Sequence, residues 1–204
     1  MAASPEEWMR RVTLEGRHVR LEPLRVEHAR DLHEATPQET FRYFTVLPKS
    51  WDVDGMAGFI EWLIADTARI HFAVIDRKTG RAVGSTSYYD IRPPHLGLEI
   101  GWTWYGIAAR GTAVNPESKL LLMSRAFEDL GAERVALRTD ARNVASRGAM
   151  LKFGAKEEGT LRHHLLMPDG AWRDSVYFSV LRDEWAGAGG GVRAGLEERV
   201  NAFG

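Results

Sequence analysis

The order of elements legible in the sequence is β-α-α-β-β-β-α-β-α-β-β, which predicts a mixed α/β (α+β) fold with a mainly antiparallel central sheet of about seven strands flanked by helices. Three observations carry this. Three consecutive strand patterns joined by short turns make antiparallel neighbours. The strand-helix-strand passage after them requires a parallel crossover. Strands and helices do not alternate strictly, which excludes a doubly wound dinucleotide fold.

Val12 to Leu24 alternates Val19 and Leu21 with Arg20 and Glu22 until Pro23 stops it, the pattern of a first strand. Val26 to Ala35 reads as a helix, and Asp52 to Ala68 as another, with Met56, Phe59, Ile60, Leu63 and Ile64 on one stripe. Strands at Ile70–Ile75 and Ala82–Tyr89 flank the turn signal Asp76 to Arg81, and Leu98–Tyr105 is a strand after Pro93-Pro94. Pro116 to Leu130 is a helix that buries Leu120, Met123, Phe127 and Leu130. Arg134–Thr139 is a strand, and Asn143–Phe153 a helix closed by Gly154. Thr160–Met167 and Ala171–Leu181 form a closing hairpin around Pro168-Asp169-Gly170. The Gly/Ala run Ala186 to Gly191 is expected to be a flexible linker, followed by a short helix with Val192, Leu196, Val200 and Phe203 on one side. The chain therefore divides into an N-terminal extension (1–11), a domain (12–185) and a linker with a C-terminal helix (186–204).

With 204 residues, 44% hydrophobic and 27% charged, the chain is of globular composition and long enough for one core. The absence of cysteine excludes a disulfide framework, a thiolate metal site and a cysteine nucleophile. A net charge of −1 gives no global footprint for nucleic acid. Neither a signal-peptide core nor a membrane-length apolar run is present, so a soluble, cytoplasmic protein without membrane contact is expected. His163 and His164 are adjacent on a strand and point to opposite faces, and His28 and His33 are five apart on a helix; no metal site is expected.

Leu98 to Lys119, LEIGWTWYGIAARGTAVNPESK, carries the chemistry. A strand leads into a loop of small residues, Arg110-Gly111-Thr112-Ala113-Val114, and the loop opens a helix with Asn115 as the expected N-cap and Pro116 at the first helical position. Successive backbone N–H groups, the helix dipole and Arg110 suit a phosphate or pyrophosphate; the plainer reading is an ordinary strand-to-helix connection with a glycine in its turn.

Arg110-x-x-Ala113-x-Asn115 resembles the acetyl-CoA loop of the GNAT N-acetyltransferase superfamily, Q/R-x-x-G-x-G/A, with Ala and Asn in place of both glycines. Leu98-Glu99-Ile100-Gly101-Trp102 is similar to the family's E-L/I-G-Y/W strand. Asn143-Val-Ala-Ser146 and Lys152-Phe153-Gly154-Ala155 resemble its N-x-x-S/A…K-x-G-F segment. Leu14 to Leu24 and Trp172 to Tyr177 resemble the subgroup of ribosomal-protein N-terminal (Rim-type) acetyltransferases, and the likeness covers roughly residues 12–185.

The resemblance implies acetyl-CoA as co-substrate and a sheet splayed between strands four and five, with Gly101 placed for the bulge that starts the splay. It implies that Trp102, Thr103, Trp104 and Asn143 hold the pantetheine arm, and that Arg110, Gly111, Thr112, Ala113, Val114 and Asn115 hold the pyrophosphate. Glu99 is then the base, with Asp174 as second candidate; each also fits a plain ion pair. Many members place a tyrosine seven residues after the asparagine as general acid. Here that position is Met150, so Ser146 is the available hydroxyl, unless it bonds back to its own helix. The acceptor would enter at Thr40–Thr45, with Arg42, Phe44, Tyr88 and His164 as contacts, although large aromatics also fill cores.

The leading function is an N-acetyltransferase acting on a protein α-amine. A small-amine acetyltransferase of the same fold is the alternative, because acceptor loops vary freely. A non-catalytic acyl-CoA sensor is a reading of another class, separable by thiol release. A nucleotide-binding protein ranks last, lacking a Walker lysine and a magnesium carboxylate. An exposed edge strand of the closing hairpin offers a surface for a homodimer.

Overall fold

The computed structural model describes residues 3–203. Eight strands form a single sheet in the order β1-β2-β3-β4-β5-β6-β8-β7. The stretch expected as one first strand is two, β1 (Leu14–Glu15) and β2 (Val19–Pro23), folded back on each other so that Leu14 faces Leu21. A distant side chain causes the reversal. The buried Glu117 carboxylate accepts the backbone N–H groups of Arg17, His18 and Val19 at 2.7, 2.6 and 2.6 Å. A Cβ at Gly16 would lie 2.6 Å from Glu117 Cδ, which explains the glycine.

β3 (Ile70–Asp76), β4 (Ala82–Arg92) and β5 (Gly97–Tyr105) continue the antiparallel order. β6 (Arg134–Asp140) lies parallel to β5 through the expected crossover. The closing hairpin of β7 (Lys156–Leu166) and β8 (Trp172–Leu181) inserts β8 beside β6 and leaves β7 at the edge. The mixed, mainly antiparallel sheet is the predicted one, with the split first strand as the eighth.

Strand alternation divides the side chains between two cores. On one face Phe72, Tyr88, Leu98, Ile100, Val135, Leu137, Val176 and Phe178 pack against Val114, Leu122 and Met123 of α4 (Val114–Ser124), Met150 of α5 (Val144–Lys152) and Leu196 of α7 (Gly191–Asn201). On the other, Leu32 of α2 (Ala29–Ala35) and Met56, Phe59 and Ile60 of α3 (Val53–Ala65) cover Ala73, Ile75, Ala82 and Trp104. This second core stops at β5. Beyond it, Arg138 of β6 and Arg173 and Tyr177 of β8 belong to neither core.

Both chain ends enter the larger core. Trp8, at the end of α1 (Pro5–Trp8), is 1% exposed there, and Val192 and Leu196 of α7 belong to the same core. The Gly/Ala run expected to be a flexible linker is a compact turn between α6 (Arg182–Trp185) and α7; a Cβ at Gly191 would stand 2.2 Å from the Glu184 carbonyl oxygen. Among the described residues no helix is long and apolar enough to cross a membrane.

Candidate active site

β5 and β6 pair only at Gly97–Arg134, Leu98–Val135 and Glu99–Ala136. Past Glu99 both strands continue, to Tyr105 and Asp140, without pairing to each other. The sheet therefore opens into a V whose apex is Glu99. β5 also bulges: Gly101 faces Ser87 and Trp104 faces Ser85, so Trp102 and Thr103 together oppose Thr86. The positive φ of the bulge (50°) falls on Trp102 and not on Gly101. Gly101 is small for another reason, since a Cβ there would come within 2.5 Å of the Tyr89 ring. Phe44 and Trp62 hold the Trp102 ring at centroid distances of 5.8 and 5.7 Å, packing that sustains the backbone strain.

At the open end of the V, Gly111 turns the chain with φ 71° and has no neighbour within 4 Å of a would-be Cβ. α4 begins at Val114, two residues before the expected Pro116, so Asn115 sits in the first turn and is not the N-cap. The cap is Ala113, which has no side chain to satisfy the end. Among the described residues the N–H groups of Gly111, Thr112 and Ala113 meet no acceptor. Unpartnered donors at a helix start, flanked by little bulk, form an anion cradle, and an asparagine cap would have partly filled it. Thr112 braces the loop through Ala109 O at 2.7 Å, and Arg110 ties it to Tyr105 O at 3.1 Å and Thr40 Oγ1 at 2.6 Å.

Across the V, Asn143 caps α5: its Oδ1 accepts the Ser146 N–H at 3.1 Å, and its amide nitrogen has no acceptor among the described residues. The half-buried Ser146 hydroxyl has no hydrogen bond among the described residues, so it is not bonded back into the helix.

Glu99 is 4% exposed. Its Oε1 accepts the Tyr89 hydroxyl and stands 3.2 Å from Arg138 Nε. Burial outweighs the attraction of Arg138, Arg173 and Arg134 and pushes the carboxyl up to about 7. Lys119 of α4 is the other buried charge facing the bulge. Its Nζ donates to Thr103 Oγ1 at 3.2 Å, Thr103 Oγ1 lies 2.8 Å from Thr86 Oγ1, and burial pulls the amine down to about 7.

The remaining expected contacts divide. Phe44 lies against Trp102 and Trp104, while Arg42 is exposed over the Tyr43 ring at 4.7 Å. His164 is beside Tyr177, ring centroids 5.9 Å apart, and burial with Arg138 and Arg173 nearby lowers its pKa. Tyr88 is not at the site: it fills the larger core, its hydroxyl bonded to Leu122 O. Asp174 shares the face of Val176, away from Glu99, and its carboxylate accepts the His163 N–H at 2.7 Å. It caps the kink where His163 takes φ 49°, so alternation along β8 removes it as a base. The sequence offers Tyr89 beside Tyr88 only as a candidate lining of the acceptor cleft, and it does not single out Lys119, Arg138, Arg173 or Tyr177 as site residues. A signal existed for Arg138, a charge inside the strand RVALRTD on the parity of Ala136. No group of metal-ligating side chains occurs among the described residues.

A parallel strand pair split at a buried carboxylate, with an uncapped helix start at its mouth, is the splayed sheet expected from the resemblance to the GNAT superfamily. Residues 18–156, more than half of the chain, match the acetyltransferase (GNAT) domain, and the chain belongs to that family. A solved acetyltransferase-like structure from T. thermophilus is 37% identical over 98% of this chain and 99% of that one, with TM-score 0.85. A GCN5-related N-acetyltransferase from Brucella melitensis is 27% identical over 94% and 86% of the two chains, also with TM-score 0.85. A curated relative, "Putative ribosomal N-acetyltransferase YdaF" of Bacillus subtilis (strain 168), is 32% identical over 108 residues; the match spans 53% of this chain and 58% of that protein.

Proposed function

We propose that this chain is a cytoplasmic N-acetyltransferase that moves the acetyl group of acetyl-CoA to a protein's N-terminal α-amine by direct attack on the thioester. The observation that carries the reading is the position of Glu99, a buried carboxylate at the last paired residue before the strands part. The residues present suit acetyl-CoA. Bare amides at Gly111 to Ala113 and the guanidinium of Arg110 meet the pyrophosphate, the Asn143 amide nitrogen donates to the pantetheine arm, and β5 from Trp102 to Trp104 offers unpaired backbone groups alongside it. The relative's name supports a ribosomal-protein acceptor.

Acetyl transfer to an amine needs a free lone pair, a stabilised oxyanion and a protonated leaving sulfur. Glu99 takes a proton from the acceptor ammonium. The amine nitrogen then bonds to the thioester carbonyl carbon, the carbon–sulfur bond breaks, and Ser146 supplies the proton that makes the thiol. Ser146 is reprotonated from water, to which the amine's second proton also passes. A carboxyl near 7 suits the first step, because it is half ionised at neutral pH and still basic enough to accept a proton. Thiol release from acetyl-CoA with a ribosomal-protein N-terminal peptide tests the reading. Ser146→Ala should lower kcat about 10- to 100-fold with the acetyl-CoA Kd unchanged. Wild-type protein that binds acetyl-CoA and acetylates no amine would be a sensor.

A further inference from the structure

The second face of β6 and β8, next to Glu99, holds more positive charge than its carboxylates match. Arg173 is half-buried, and among the described residues its side chain donates only from Nη1 to the Tyr43 carbonyl at 3.1 Å and from Nε to Ser175 Oγ at 3.2 Å. Among the described residues no carboxylate lies within 4 Å of it. The nearby acids are engaged. Asp140 accepts Arg142 through both its oxygens, at 3.0 and 2.8 Å, and Glu99 is held by Tyr89 and Arg138. Arg138 itself donates to Tyr177 Oη at 2.8 Å. His164, on the same side, leaves a buried Nδ1 with no hydrogen-bond partner among the described residues. Tyr43, whose carbonyl steers Arg173, reaches over to donate its hydroxyl to Arg142 O at 3.2 Å. The segment expected to admit the acceptor thus roofs this cluster.

Asp140 and Glu99 attract Arg173 only from beyond ion-pair distance, burial still lowers its pKa, and a carboxylate from outside would relieve that cost with a planar fork–fork contact. We propose that Arg173 is a specificity-determining residue that recognises a carboxylate on the acceptor, close to the amine that Glu99 deprotonates. This rests on the N-acetyltransferase reading above and narrows its acceptor to amines bearing a nearby carboxylate. Two sources share that chemistry: the α-carboxylate of a free amino acid, and an acidic side chain beside a peptide N-terminus. An exposed surface arginine would only steer anions broadly. Arg173 is instead fixed by two neutral bonds that hold its charge without neutralising it.

The test pairs each carboxylate with its amide: alanine with alaninamide, and the peptide Ala-Glu-Ala-Ala with Ala-Gln-Ala-Ala, both peptides carrying C-terminal amides. Thiol release is measured with wild type, Arg173→Gln and Arg173→Lys. The same four acceptors are titrated calorimetrically into the CoA-loaded protein, an arm that needs no turnover. The expected result is at least a tenfold preference for one carboxylate over its amide, in kcat/KM or in affinity. Arg173→Gln should erase the preference through KM, costing the carboxylate acceptor at least tenfold more than its amide and leaving the acetyl-CoA Kd unchanged, and Arg173→Lys should restore part of it. The pair that shows the preference identifies the source of the carboxylate. Equal binding of both members of each pair, or an equal loss for carboxylate and amide in Arg173→Gln, overturns the proposal. Carboxylate-selective binding without turnover would retain this inference and remove the catalytic one.

Discussion

At the scale of single residues, the site is built from buried charges that are not fully compensated. Lys119 is the clearest case, an amine with, among the described residues, one hydroxyl partner and no carboxylate, drawn by burial from the ordinary lysine value of 10.5 to about 7. Its folded pKa is depressed, so the unfolded chain binds more protons between those two values. The resulting cost to stability is complete below about pH 7 and fades as pH rises toward 10.5. Lys119→Met should therefore raise stability by about 1–3 kcal/mol at neutral pH, with the gain vanishing in alkaline solution. Denaturant unfolding across that range checks it, and a loss of stability at pH 7 would mean that the amine is paired. The positions of Glu99 on β5 and Ser146 on α5, beside the opened sheet, were legible in the sequence because family motifs surround them. Lys119, Arg138 and Arg173 were not, since their roles depend on which strand or loop lies opposite, and periodicity carries no register. The same blindness placed Tyr88 at the site: in YYD, Tyr88 and Tyr89 differ only in parity, and parity put Tyr88 in the core and Tyr89 on Glu99.

Among the elements, strand and helix identities were readable from apolar spacing, while three junctions differ from expectation: the split first strand, the start of α4, and the Gly/Ala run, which is a compact turn. β1 and β2 read as one strand because their reversal is bonded by Glu117, far along the chain. α4 starts two residues early because Ala113 to Asn115 turn helically without a capping side chain, and this leaves the amides free. Gly111→Val would place a β-branched residue at φ 71°, a strain of about 1–2 kcal/mol that the loop relieves by moving its amides. Acetyl-CoA affinity should fall at least tenfold in calorimetry while Tm changes little; unchanged affinity would remove the loop from the site. The C-terminal helix belongs to the domain's core through Val192, Leu196 and Val200, which are 9%, 0% and 5% exposed. Ending the chain at Trp185 should destabilise it by about 2–4 kcal/mol, the apolar burial less the ordering entropy of a short helix. A truncated protein with unaltered thermal melting would contradict that packing.

For the whole molecule, division of labour follows from which sheet face is covered. One face and half of the other are sealed by helices into two apolar cores, and the remaining quarter, over β6 and β8, is polar and faces the loop that carries Tyr43 and Phe44. The V between β5 and β6 joins that polar quarter to the anion cradle on the opposite side, so two substrates can approach one point from two faces. Glu99 is at that point. Its folded pKa is raised, so stability falls as pH rises from 4.5 through about 7, while in the folded protein the carboxyl ionises around pH 7, where the proposed base would switch on. The most direct test is the pH dependence of kcat/KM for peptide acetylation, in wild type and Glu99→Gln, between about pH 5 and 9. The account predicts an ascending limb near pH 7 in wild type, and in Glu99→Gln a fall of about 10²–10⁴-fold with that limb lost and acetyl-CoA binding intact. A Glu99→Gln enzyme that keeps both the rate and the limb would contradict it.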